Sequence, residues 1–123
     1  MPLVTFDDRS IDAIIESGTN ANGSWIKFGN GVMICWDMVE VTNQTISNAY
    51  GNHYQGTRVM TFPQEFSVAP SVACGAFQWG TSASWGTVSA ITKTNCTLRG
   101  IDLYSRASGT TTTISYIAIG SWE

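Results

Sequence analysis

His53 is the single histidine of the chain, and most histidine-dependent catalysis would have to be built on it. It lies in the segment from Gly51 to Gly56, which contains no acidic residue. Ser-His-Asp and Cys-His catalysis need a positioned partner beside the imidazole, and zinc takes about four ligands. The sequence therefore favours an exposed loop histidine over a triad or a metal site. Three copies of His53 around the axis of a symmetric oligomer are the alternative.

Carboxylates are the next groups that could do chemistry. Glycoside hydrolysis needs two carboxyl groups that face each other across a bond. The acids within predicted strands are Asp37, Glu40 and Asp102, and nothing in the sequence places two of them as a pair. Glu40 is interpreted as a charge that keeps a sheet edge from pairing with another chain, and Asp102 as an ordinary solvent-facing residue of a strand.

The three cysteines, Cys35, Cys74 and Cys96, form an odd set without a CxxC pair. A secreted domain held by disulfides normally shows an even number, so folding in a reducing cytoplasm is favoured. Their small apolar neighbours are typical of buried thiols and not of nucleophiles. We therefore expect no catalytic residue, no metal and no cofactor, and we expect that the protein is not an enzyme.

Aromatic side chains are the remaining groups that could form a binding site, and the chain has five Trp, four Tyr and five Phe. A flat ring at a loop suits a sugar, because the sugar's C–H face stacks on the ring while nearby polar groups hydrogen-bond its hydroxyls. An equally good interpretation is that these aromatic side chains fill the interfaces between subunits. The aromatic residues in or beside predicted loops are Tyr50, Tyr54, Trp79, Trp85 and Tyr104.

The composition indicates a protein that associates with other chains. The 123 residues suffice for one domain with a modest core. Only 12% are charged, about half of the usual share. The formal net charge is −3 without a basic run, so no nucleic acid is expected as a partner. No apolar stretch approaches the roughly 18 residues of a membrane span, and the start lacks the regions of a signal peptide, so no membrane insertion is expected.

The pattern of the chain predicts an all-β fold. After Gly18, β-branched and aromatic runs alternate with Gly, Asn, Ser and Thr at short spacing, and no helical stripe follows. Residues 10–17 fit either a short capped helix or an entry strand, and the polar residues 43–56 predict a long loop. About seven short strands are enough for an antiparallel sandwich. The predicted strands cover residues 24–28, 32–41, 58–62, 71–79, 86–92, 97–104 and 111–122.

Residues 115–123 are unusual because they read as a strand that is apolar on both sides. One side carries Tyr116 and Trp122, and the other carries Ile117 and Ile119. Such a strand has too little polar surface for a solvated edge. It is therefore predicted to lie centrally in a sheet or to be covered by identical chains, which indicates a small β domain within an oligomer.

Three blocks of sequence point to a known family. They read NANGSWIKF leading to MICW within residues 20–36, TFP and APSV within residues 61–72, and YIAIG followed by Trp122. Together they resemble the C-terminal domains of tail-fibre and tail-tip adhesins of tailed bacteriophages and prophages. The resemblance covers about residues 14–123. It implies a trimeric virion protein at the fibre tip, assembled in the bacterial cytoplasm and attached to upstream fibre or baseplate proteins. Residues 1–13 would then be a connector or the end of the fibre stem, and residues 14–123 the head domain.

The order of elements is also similar to that of the H-type lectins, whose six-stranded antiparallel sandwiches form trimers and bind sugars between subunits. Residues 15–18 resemble the lectins' first strand, which favours a strand over a helix there. The lectin pattern places binding positions at Asn22, Trp85 and Tyr104. The lectins have an acid at the position of Asn22 and an arginine at the position of Trp85. Their tryptophan and histidine are replaced here by Tyr104 and Ser105. The resemblance therefore implies no particular sugar.

The sequence thus predicts a non-enzymatic, lectin-like β-sandwich of about six to seven strands that assembles as a homotrimer. We expect it to recognise a bacterial surface glycan in inter-subunit grooves through Asn22, Trp85, Tyr104 and Arg106, with weak sites made sufficient by multivalency. The alternative is a trimerisation and capping module that does not itself bind the receptor. A capsule-degrading hydrolase is disfavoured, because it needs facing carboxylates or an activated nucleophile.

Overall fold

The computed structural model describes residues 13–123, which form two antiparallel β-sheets packed as a sandwich. In chain order the strands are β1 Ile14–Asn20, β2 Gly23–Phe28, β3 Val32–Val41, β4 Asn48–Tyr50, β5 His53–Thr61, β6 Ser71–Trp79, β7 Trp85–Ile91, β8 Asn95–Asp102 and β9 Thr112–Ser121. One sheet has five strands in the order β1-β2-β3-β9-β6, and the other has four in the order β4-β5-β8-β7. No helix long and apolar enough to cross a membrane occurs in this part of the chain.

The sandwich confirms the predicted all-β class, and the structure corrects two details of it. Residues 13–123 contain nine strands where about seven are predicted. Residues 15–18 belong to β1, so the strand favoured there by the lectin resemblance is confirmed, whereas residues 10–12 lie outside the described residues. The long loop predicted for residues 43–56 is wrong, because it contains the hairpin of β4 and β5. The connector predicted for residues 1–13 lies outside the described residues except for Ala13.

The strand β9 lies at the centre of the five-stranded sheet, between β3 and β6. It pairs with β3 along the full ten residues of both strands. Just beyond it, Trp122 donates from Nε1 to the carbonyl of Phe28 at 2.8 Å and from its backbone N–H to the carbonyl of Gly31 at 2.9 Å. The central position is the first of the two arrangements predicted for this strand.

The hydrophobic core lies between the two sheets. Alternate residues of β3, β8 and β9 point inward and are buried. The ring of Phe62 meets that of Phe66 edge-on at 5.2 Å between centres and that of Tyr116 at 5.6 Å. Burying one side chain of this size contributes about 1.5–3 kcal/mol. The buried apolar residues are Met33, Cys35, Ile46, Met60, Phe62, Phe66, Phe77, Cys96, Leu98, Ile114, Tyr116 and Ala118.

The three cysteines are free thiols. Cys35 and Cys96 are fully buried, as predicted, and loss of hydration raises the pKa of each thiol to about 11. Cys74 is half-buried, and its thiol pKa is raised for the same reason. Because the thiolate is the reactive form, thiols with a raised pKa are poor nucleophiles at neutral pH.

A row of three glycines crosses the inner face of the four-stranded sheet. Gly56 of β5 and Gly86 of β7 both lie opposite Gly100 of β8. A methyl group at Gly100 would overlap the ring of Phe77, and one at Gly56 would overlap the backbone carbonyl of Thr45. Only a hydrogen atom fits at these positions, so Phe77 packs directly on the backbone of this sheet. We call Gly56, Gly86 and Gly100 the glycine row.

The outward face of the five-stranded sheet is apolar in its middle. Ile34 of β3 lies opposite Ile119 of β9, and in the next row Trp36 lies opposite Ile117. Ile117 and Ile119 are 44% and 47% exposed. Soluble monomers rarely leave a contiguous apolar patch of this kind open to water. We call this surface, formed by Ile26, Ile34, Trp36, Met38, Ile117 and Ile119, the apolar face.

Candidate functional site

Asp102 connects two loops at one end of the sandwich. It is the last residue of β8 and is only 3% exposed. Its Oδ2 accepts hydrogen bonds from Ser82 Oγ at 3.0 Å and from Arg106 Nε at 3.1 Å. Its Oδ1 accepts one from the backbone N–H of Tyr104 at 3.0 Å. One carboxylate therefore fixes the β6–β7 loop, which holds Ser82, against the β8–β9 loop, which holds Tyr104 and Arg106.

The predicted solvent-facing position of Asp102 is wrong. Successive residues of a strand point to opposite faces, and Asp102 shares the phase of Cys96 and Leu98, which are buried. Burial raises the pKa of this carboxyl, but the hydrogen bonds from Tyr104, Arg106 and Ser82 outweigh that effect and hold the pKa below its ordinary value of 3.8. The carboxyl group is therefore ionised at neutral pH, and both of its oxygens accept hydrogen bonds.

We expect Asp102→Asn to lower the free energy of unfolding at pH 7 by about 1–3 kcal/mol, because Arg106 then loses its ionised acceptor. The folded-state pKa of Asp102 is depressed, so its contribution is present above about pH 4 and is lost as the pH falls through the folded pKa. Urea unfolding of both proteins between pH 7 and pH 2 should show the difference closing in acid.

Glu40→Gln is the control for the Asp102 substitution, since Glu40 is an exposed acid on β3. We expect it to change the free energy of unfolding by less than about 0.5 kcal/mol. A difference between the Asp102→Asn protein and the unchanged protein that stays constant down to pH 2 would contradict the role given to the Asp102 charge.

Three of the four predicted site residues lie at this end of the sandwich. Tyr104 is 67% exposed, and Trp85, the first residue of β7, is 45% exposed. The guanidinium of Arg106 lies 4.8 Å from the centre of the Trp79 ring and 5.4 Å from that of the Tyr104 ring. Arg106 thus positions Tyr104 while it pairs with Asp102. Whether Arg106 also touches a ligand stays a prediction.

Asn22 is remote from the other three. It lies in the turn between β1 and β2 and lines a cavity of about 200 Å³ together with Arg58 and Thr61 of β5. Trp85 contacts His53, at the opposite end of β5. At about 3.3 Å per residue, Arg58 and Thr61 lie about 17 Å and about 26 Å along β5 from His53. One chain therefore cannot bring Asn22 to Trp85, and a site that uses both needs a second copy.

A second group of side chains, missed by the sequence predictions, lies on the outward face of the four-stranded sheet. The ring of Trp85 meets His53 edge-on at 6.0 Å between centres and an interplanar angle of 81°. The guanidinium of Arg99 lies 5.2 Å from the ring centre of Tyr50. Gln55 is the residue of β5 in the row of Trp85. We call Tyr50, His53, Gln55, Trp85 and Arg99 the outer cluster.

His53 differs from its predicted state. It is half-buried at the start of β5 and packs against Trp85, so the prediction of an exposed loop histidine is wrong. Among residues 13–123, no three His, Cys, Asp or Glu side chains lie together as metal ligands would. The alternative of three His53 copies around an oligomer axis stays a prediction.

Comparisons with known proteins identify the fold. No family model and no curated protein matches the chain. Among solved structures, a C-terminal part of the R1 pyocin fibre of P. aeruginosa is similar at a TM-score of 0.63 and 22% identity, covering 88% of this chain and 29% of that one. An N-truncated R1-type pyocin tail fibre is similar at a TM-score of 0.62 and 23% identity, covering 88% of each chain.

One further solved structure has a similar fold. Discoidin II of Dictyostelium discoideum is similar at a TM-score of 0.54 and 20% identity, covering 73% of this chain and 37% of that one. The present chain thus spans less than a third of the first pyocin fibre structure and well under half of the discoidin. These likenesses confirm the resemblance in fold to tail-fibre C-terminal domains and, more faintly, to lectins.

Proposed function

We propose that this domain is the head of a phage-type or pyocin-type tail fibre and that it binds a glycan on the surface of the host bacterium. The observation that supports this proposal most directly is the placement of Trp85 and Tyr104. They are two exposed rings at the loops that Asp102 fixes together. Rings held in place stack on a sugar with little further loss of freedom. The likeness in fold to two pyocin fibre structures supports the fibre role.

In this proposal Trp85 and Tyr104 supply the stacking surface, and Arg106 holds Tyr104 and offers its remaining N–H groups. Asn22 joins the site from a neighbouring copy, because it lies near the far end of β5. The domain acts without a cofactor and without catalysis, on a particle assembled in the bacterial cytoplasm. Its partners are the host glycan, identical chains in a homotrimer, and upstream fibre or baseplate proteins.

Trp85→Ala and Tyr104→Ala are each expected to weaken binding to the host surface about tenfold, since one stacking contact contributes up to about 1.5 kcal/mol. The measurement is binding of the 123-residue chain to purified host polysaccharide and to whole cells. Val68→Ala, an exposed position on the loop between β5 and β6, is the control and should bind normally.

Two outcomes of this experiment count against the proposal. If both aromatic variants bind as the unchanged chain does, Trp85 and Tyr104 are not in the site. If the unchanged chain binds neither cells nor polysaccharide, the glycan-binding function is wrong.

A second candidate function is trimerisation and capping of the fibre without contact with the receptor. The apolar face favours it, because identical chains around a threefold axis would cover Trp36, Ile117 and Ile119. This face belongs to the five-stranded sheet, whereas Trp85 belongs to the four-stranded sheet. The two functions therefore use different surfaces and do not exclude each other.

A further inference from the structure

The outer cluster contains a cation, Arg99, that has no counter-ion among the described residues. Among residues 13–123 the ion pairs join Lys27 to Glu16 and Arg106 to Asp102, so Arg99 has no carboxylate within reach. Its guanidinium instead lies over the ring of Tyr50. A guanidinium held over a ring can still pair through its terminal N–H groups with a planar anion, as Arg does when it binds a carboxylate.

Two polar atoms of the same cluster also lack partners. Gln55 Oε1 and Arg99 Nε are shielded from solvent and accept or donate no hydrogen bond within the described part of the chain. Such atoms destabilise a surface until something satisfies them. A ligand that turns these two side chains towards itself would satisfy both if it offered an anionic acceptor to Arg99 and a hydroxyl donor to Gln55.

Aromatic rings frame these polar groups. Tyr50 lies against Arg99, and Trp85 and His53 lie against each other. Gln55 shares a row with Trp85, with Ile101 of β8 between them, and lies two residues from His53 on β5. The surface therefore combines a cation, an acceptor and flat apolar rings, which together match a sugar ring that carries an acid group.

The backbone beneath the outer cluster is rigidly held. Gln55, Trp85 and Arg99 are each the immediate neighbour of a member of the glycine row, so they point outward where the glycines point inward. From inside the sandwich, Phe77 packs on Gly86 and Gly100, and the backbone of Thr45 packs on Gly56. This support fixes the backbone positions from which the three side chains turn towards a ligand.

We propose that the outer cluster binds a sugar acid, a saccharide unit that carries a carboxylate, within the host glycan. The proposal rests on the glycan-binding function and names the class of its ligand. Arg99 pairs with the carboxylate, Gln55 accepts a hydrogen bond from a ring hydroxyl, and Trp85 stacks on the C–H face. A neutral sugar leaves Arg99 unpaired and binds more weakly.

The test uses uronic acid and sialic acid oligosaccharides, each immobilised beside its methyl ester, which keeps the sugar and removes the charge. We expect the 123-residue chain to bind at least one acid at least about tenfold more tightly than its ester, with the preference weakening as salt rises. Arg99→Gln should abolish the preference, and Arg99→Lys should retain part of it, because charge remains without the fork.

Lys93→Gln is the matched control, since it removes one positive charge at the exposed turn between β7 and β8. It should leave the preference unchanged. Equal binding of acids and esters, a preference that survives Arg99→Gln, or no binding across the panel would each overturn the proposal.

Host-cell attachment of the same variants separates this proposal from the glycan-binding function itself. Attachment lost in Trp85→Ala but normal in Arg99→Gln would leave glycan binding in place with a neutral ligand. Attachment lost in both variants supports the sugar acid. No attachment of the unchanged chain would remove the function and the ligand together.

Discussion

A protein with both Ile117→Lys and Ile119→Lys is expected to be a folded monomer, whereas the unchanged protein is expected to self-associate. Both side chains lie in the centre of the apolar face, opposite Trp36 and Ile34. Exposed on a monomer, two lysines keep their charges in water. Buried between copies, the same charges would lack partners and cost more than the apolar contacts contribute.

Light scattering at equal protein concentration measures this effect. We expect a mass near three times 13.3 kDa for the unchanged chain and near 13.3 kDa for the double variant, with an unaltered circular dichroism spectrum. The control carries Ser89→Lys and Ile91→Lys on β7, an edge strand of the other sheet, and should keep the larger mass. An unchanged chain that is monomeric would show that identical copies do not cover the apolar face.

The second large effect is expected at the centre of the glycine row. Gly100→Ala places a methyl group against the ring of Phe77, and β8 is held by its pairing with β5 on one side and β7 on the other. Overpacking usually costs about 1–3 kcal/mol and sometimes more. Because the overlap involves three ring atoms, we expect a loss of at least about 3 kcal/mol in the free energy of unfolding, measured in urea.

A double variant shows whether Phe77 causes that loss. Phe77→Val alone should destabilise the protein by leaving a cavity. Combined with Gly100→Ala, it removes the ring atoms that the new methyl group meets, so the double variant should be more stable than the sum of the single effects by at least about 1 kcal/mol. Strict additivity would mean that the two positions do not compete for the same space.

Strands with clear boundary residues could be predicted from the sequence. Gly31 comes before β3 and Pro70 before β6, and both predicted strands have the observed bounds. The central place of β9 could also be inferred, because Tyr116 and Ile117 make both of its faces apolar. The partners of β9 could not, since a local pattern carries no information on which distant strand supplies the hydrogen bonds.

The four-stranded sheet shows why other features were missed. The hairpin of β4 and β5 starts with polar residues such as Asn48 and His53, because β4 is a short edge strand with little to bury. The contact of His53 with Trp85 joins two strands that do not pair directly. The burial of Asp102 is the one missed feature that the sequence pattern could predict, since the alternation through Cys96 and Leu98 places it inward.

The glycine row also sets how this surface can diverge among descendants. A substitution at any of its three positions brings a new side chain against atoms that are already in place. The outward neighbours Gln55, Trp85 and Arg99 carry no such constraint, and substitutions at positions of this kind usually change stability little. Under the proposed function, a lineage that meets a new host can therefore exchange the residues proposed to bind the receptor while the three glycines persist, so host range and folding would evolve on opposite sides of one sheet.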